Sequence, residues 1–256
     1  STFGEGRWGA LVRKPFVAVC GTALSTVDDC IVVPSGRRLD RTNVQVPVPG
    51  SPSAPWVIAA RAVARAAVLA NENPPHDYGS LPLDGVIPGP DSAQWMYDDR
   101  DRAVKNGCST TEVKNGVVTM GDLVTFYHPE GENLPAYRYV VDIVKLQNTI
   151  FNVDLEFAQP KWDGAPLIPD NQPTVNPAAK KPKTAKAAAA GIIENLGLEA
   201  ILADTASTIP AIVADIDTQN PKRLNMAIPV KISGNTNIIS IDLLWGFNFG
   251  TPEILA

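Results

Sequence analysis

A chain of 256 residues, 45% of them hydrophobic, is long enough to bury one large core or two smaller ones. Its net charge of -5 excludes the broad basic surface that a general nucleic-acid binder needs. No apolar run reaches the roughly 18 residues of a membrane span, because Arg61 and Arg65 interrupt the best candidate.

The first residues, S-T-F-G-E-G-R-W, show no signal-peptide pattern and no initiator Met, so processing or a fragment of a longer chain is the expectation. Pro15 to Gly21 and Ile31 to Pro34 read as short strands, with Asp28-Asp29 opening a loop between them. Val44, Val46 and Val48 alternate with Gln45 and Pro47, which predicts an edge strand because Pro47 cannot donate to a ladder. S-P-S-A-P-W then opens a helix, with Ser53 as N-cap and Pro55 in its first turn. That helix runs to about Ala70 with Ile58, Ala62, Ala66 and Leu69 on one face and the Arg61/Arg65 pair on another. A second helix is predicted from Asp91 to Asn106-Gly107, where glycine suits the C′ position.

Asn115-Gly116, set between β-rich segments, is a type I′ hairpin signature. Leu123 to Tyr127 reads as a further strand. Val140, Ile143, Val144, Gln147, Ile150 and Phe151 recur at helical spacing and predict an amphipathic helix from about Ala136 to Phe157. Pro160 to Pro182 is proline-rich and weakly patterned, a loop between two regions. A helix from Pro182 to about Leu196, weakened by Gly191 and Gly197, leads into strands near Ile212–Asp217 and Leu224–Ile232.

The last pattern is the longest. From Asn237 to Phe249, Ile239, Ile241, Leu243, Trp245, Phe247 and Phe249 take every second place, and the intervening positions are mostly polar or small. Successive strand residues point to opposite sides of a sheet, so this is a strand with one buried face. It needs a sheet beside it, from its own domain or from another chain. The chain as a whole is therefore expected to be α+β. A central sheet flanked by helices occupies 1–159, the loop 160–182, and a smaller α+β region ending in a hairpin 183–256.

Signals of chemistry are weak. Gly4, Gly6 and Gly9 fit G-x-G-x-x-G, but only three residues precede them and Lys14-Pro15 stops any helix soon after, so a glycine loop is the better reading. His76 and His128 lie among prolines, and no nucleophile turn accompanies them. Cys20, Cys30 and Cys108 show no metal or disulfide spacing, and reduced thiols in a cytoplasmic setting are the simpler reading. Asp98, Asp99 and Asp101 read as a solvated helix face. Lys180, Lys181, Lys183 and Lys186 form a basic run that suits either a solvated linker or an acidic partner surface. No enzyme, cofactor or metal site is expected.

Several stretches together resemble the contractile phage tail sheath proteins of the Mu-like branch. S-P-S-A-P-W-V-I-A-A-R-A-V-A (51–64) is similar to that family's helix-opening segment, and G-S-L-P-L-D-G-V-I-P-G-P (79–90) to the strand and proline loop after it. N-G-C-S-T-T-E-V-K-N-G-V-V-T-M-G-D-L-V-T-F-Y (106–127) resembles its hairpin block, and A-Y-R-Y-V-V-D-I-V-K-L (136–146) the following helix. T-A-K-A-A (184–188) and the terminal hairpin fit its C-terminal region. Order and spacing carry the resemblance across most of residues 10–249. Gly121-Asp122 stand where the family often has a basic residue, and the chain is shorter than typical sheaths, as if an N-terminal portion were absent.

The resemblance implies a non-enzymatic homopolymer, stacked as hexameric discs around a tail tube protein and joined to baseplate and tail terminator proteins. Such a protein binds no nucleic acid, inserts in no membrane, and sits in the tail of a virion assembled in the host bacterial cytoplasm. Contraction would be a rigid-body rearrangement, with strand links between subunits kept as hinges. On this reading Ile239, Ile241, Leu243 and Trp245 anchor an inter-subunit sheet, and Lys180, Lys181 and Lys183 are candidates for a contact between discs. The alternative is another tail or baseplate component that assembles by β-strand pairing.

Overall fold

The computed structural model describes residues 7, 14–131 and 136–236. The chain is α+β, with helices and short strand pairs interleaved along its length. Strand β1 (Ala18–Thr22) runs parallel to β2 (Asn43–Pro47), with Ala18 opposite Asn43 and Thr22 opposite Pro47. Parallel strands need a crossover, and it is helical: α1 spans Val27–Ser35. This corrects the strand expected at Ile31–Pro34. Thr26 caps the helix by accepting the Asp29 N–H at 3.2 Å, and Asp28 and Asp29 place negative charge in the first turn, where the helix dipole favours it. These end effects override the β-branched run Ile31-Val32-Val33.

β2 is not an edge strand either. Its far side meets Thr125 in an antiparallel bridge, and the Phe126 N–H donates to Asn43 O at 2.9 Å. Val44, Val46 and Gln45 are all buried as a result. Pro47 fits because it is the final residue of the strand, and its carbonyl accepts from Thr111 Oγ1 at 2.8 Å.

Helix α2 (Pro55–Glu72) packs on these strands through buried Ile58 and Ala62, with Ala66 and Leu69 half-buried beside them. Its N-cap is Ala54, without a side-chain cap. The Ser53 hydroxyl instead accepts the Ile87 N–H at 2.9 Å. The helix expected over 91–106 is divided. A short 3-10 turn (Asp91–Ala93) is followed by extended residues and then α3 (Tyr97–Lys105). Trp95 interrupts it, because its ring is buried and its Nε1–H donates to Ser25 O at 2.8 Å. At the far end the expected glycine is in place. Gly107 has φ +76°, and the Gly107 and Cys108 N–H groups bond back to Val104 O and Ala103 O, a Schellman closure.

β3 (Thr111–Lys114) and β4 (Val117–Met120) form the hairpin read from the sequence, with Asn115 and Gly116 at φ 54° and 76° as a type I′ turn requires. Leu123–Tyr127 makes isolated bridges rather than a ladder, Val44 to Thr125 and Val124 to Tyr139, and the chain bends at Phe126. The second bridge explains why helix α4 (Val140–Phe157) begins four residues later than its periodicity implied: Tyr139 is held in extended pairing. Phe151, assigned to the buried face, is exposed. One core gathers Val44, Val46, Ile58, Leu83, Val118 and Val141.

The loop over 160–182 carries one bridge, Leu167 to Lys180. Helix α5 (Pro182–Leu198) opens with Pro182 at its first turn and buries Ala189, Ile193 and Leu196. Beyond it, β5 (Leu202–Ala203) and α6 (Thr205–Ala211) carry no periodicity legible in D-T-A-S-T-I-P. β6 (Val213–Ile216) pairs antiparallel with β7 (Leu224–Ala227), whereas β8 (Lys231–Ile232) pairs with β5. The single strand expected over 224–232 is thus two strands in two ladders, parted at Pro229. Ile193, Leu196, Ile201 and Ile212 form a core separate from the first. None of the described helices is long and apolar enough to cross a membrane.

Candidate assembly surface

Along α4, Leu146, Ile150, Val153 and Phe157 face Leu224, Met226, Ile228 and Val230 across a groove of about 730 Å³. The second set takes every second place in the chain, which is how one face of an extended segment presents itself. Trp162 also lines the groove. Its ring lies 4.9 Å from that of Phe157, and its Nε1–H donates to Glu156 Oε1 at 3.2 Å, so the start of the 160–182 loop is seated on the end of α4.

The basic run belongs to the same neighbourhood. Lys180 Nζ stands 5.7 Å over the Trp162 ring, a cation–π contact. Lys181 Nζ donates to the carbonyls of Asp170 and Gln172, tying the two arms of the loop together. Lys183 is exposed, and its backbone N–H donates to Asp170 Oδ1 at 2.9 Å. The structure therefore places Lys180 and Lys181 at the end of the loop, where both have work inside the chain, and Lys183 in the first turn of α5. Ile239, Ile241, Leu243 and Trp245 lie outside the described residues.

At the root of that terminal segment is a residue sequence reasoning passed over. Lys145 is fully buried on α4, and its Nζ donates to Ser233 O and Asn235 Oδ1 at 2.7 Å each. Asp142 Oδ1 is 3.4 Å away. Burial pushes the Asp142 carboxyl up, with Lys145 pulling against it. One lysine in an amphipathic helix reads as solvated, so nothing in the sequence marked it.

The groups considered for chemistry are dispersed. His76 Nδ1 hydrogen-bonds Asp77 O, and His128 Nδ1 hydrogen-bonds Phe126 O, each at 2.6 Å. Asp28 pairs with Arg102 at 3.0 Å, and Asp101 with Lys105 at 2.6 Å. Cys30 and Cys108 are buried in one small core with Trp95, Cys20 is exposed, and all three thiols are free. Among the described residues no group of three His, Cys, Asp or Glu is placed to hold a metal ion. Of the 4–9 glycine motif only Arg7 is described; its Nε donates to Lys14 O at 2.9 Å.

Burial, reinforced by the charges of Arg38 and Arg138, holds His128 below its ordinary value despite its bond to Phe126 O. A base with a lowered folded pKa takes up fewer protons than the unfolded chain, so its contribution is complete above about pH 6.5 and declines as pH falls below that. Urea midpoints should drop between pH 7.5 and 5.5, and His128→Asn should flatten that slope. Asp122 and Asp142, both raised chiefly by burial, act in the opposite sense at lower pH.

No family model matches the chain, and no curated protein matches it. Solved structures do. One is a chain in the cryo-EM structure of the anti-feeding prophage (AFP) baseplate, 6-fold symmetrised, with a TM-score of 0.61 at 11% identity over 90% of this chain. At that identity the likeness is one of fold. The match spans 60% of the length of the baseplate chain.

Proposed function

We propose that this protein is a structural, non-catalytic subunit of a contractile tail-like particle, and within that class a sheath subunit. The observation that carries the reading is the fold shared with a baseplate chain of a 6-fold assembly along nine-tenths of this sequence. The order of sequence blocks resembling tail sheaths supports the finer assignment. Subunits would join by adding the 237–249 strand of one copy to a sheet of the next, backbone pairing supplying affinity and the alternating face supplying register. Neighbouring copies would form hexameric rings stacked around a tail tube, with baseplate and terminator proteins at the ends.

A baseplate subunit is the second reading, favoured by what the similar chain belongs to. The two differ in closure: a sheath grows open-endedly, and a baseplate component stops at a closed ring. Leu243→Asp would place a charge within the alternating apolar pattern of 237–249. By sedimentation velocity the unaltered chain should form large species at high concentration, and the variant should remain at its smallest species with an unchanged thermal midpoint. Equal assembly of both would remove the strand from the linkage.

A further inference from the structure

The Lys145 ammonium is enclosed by protein, yet its shortest contacts are not to a carboxylate. They run to Ser233 O and Asn235 Oδ1, both 2.7 Å away, while Asp142 stands at 3.4 Å. Asn235 in turn donates from Nδ2 to Pro75 O at 2.8 Å, in the loop that follows α2. The Ser233 N–H donates to Ile201 O at 3.1 Å, just before β5. Three separate parts of the chain therefore grip residues 233–235: α4, the loop after α2, and Ile201 just before β5.

The chemistry makes the grip hard to open. Withdrawing 233–235 would strip two oxygens from a desolvated cation and leave it one carboxylate whose own ionisation burial already disfavours. Leaving a buried charge short of partners is among the costliest changes a fold can suffer. We propose that Lys145 is a latch that fixes the root of the C-terminal segment to the central core. Residues 233–235 are then a set point on α4, and a pull on the chain beyond them passes into α4 and the loop after α2 instead of being absorbed by a slack joint at 233–236. The purpose rests on the subunit reading above; the latch itself is a property of the single chain.

Hydrogen exchange followed by mass spectrometry on the unassembled full chain tests it. Lys145→Met and Asn235→Ala should each raise exchange over 231–236 by about tenfold or more, with 56–70 in α2 unchanged. Asn235→Ala leaves the helix sequence intact and covers the case in which Lys145→Met fails to fold. No change over 231–236, or an equal rise in α2, would overturn the latch. Assembly is scored separately on the same samples. Local exchange without any assembly of the unaltered chain sinks the subunit reading and keeps the latch, and assembly with unaltered exchange does the reverse.

Discussion

Gly21→Ala is expected to cost about 3 kcal/mol or more of stability, read as a fall in the denaturant midpoint. A Cβ at Gly21 would stand 1.8 Å from Pro55 O and 2.6 Å from Pro55 C. Neither side can yield cheaply. Gly21 is locked into β1 opposite Val46, and Pro55 is the first residue of α2, which packs along that strand. The contact is backbone against backbone, so no rotamer change relieves it. Against a total of about 5–15 kcal/mol for a typical domain, such a loss removes much of the fold's margin. Gly191→Ala is the matching control: it sits inside α5 with nothing within 4 Å, and alanine there should stabilise by about 0.5–1 kcal/mol.

Ile193→Ala should cost about 2–5 kcal/mol, because Ile193 is fully buried and its loss leaves a cavity among Leu196, Ile201 and Ile212. That core shares no buried residue with the one built on Val44, Val46 and Ile58. The damage should therefore concentrate in 182–232. Hydrogen exchange should rise there while α2 stays protected; a uniform rise would mean that the two cores unfold as one unit.

Elements set by local rules were legible in the sequence. The Asn115-Gly116 turn, the Gly107 closure and the proline-opened helices α2 and α5 follow from backbone sterics and end effects that act within a few residues. Elements set by distant partners were not. Trp95 breaks a helix because Ser25, 70 residues earlier, takes its indole N–H. β2 reads as an edge because of Pro47, and it is interior because residues 109–126 return to its far side. The α1 segment misled through its β-branched run, although the Thr26 cap and the acidic first turn were present to be read. Of the candidate assembly surface, the sequence supplied the alternating apolar pattern of 237–249 and the lysine run. Lys145 and the α4 groove emerge only when 223–235 is brought against α4, at a separation of 88 residues for Lys145 and Ser233.

The central claim, a subunit that polymerises through its terminal strand, is tested most directly by negative-stain electron microscopy. The full chain is imaged at high concentration beside a version ending at Thr236, which keeps the Lys145 contacts to Ser233 and Asn235. Tubes or stacked rings from the first and dispersed particles from the second are the predicted result. Dispersed particles from both, or identical tubes from both, would contradict it.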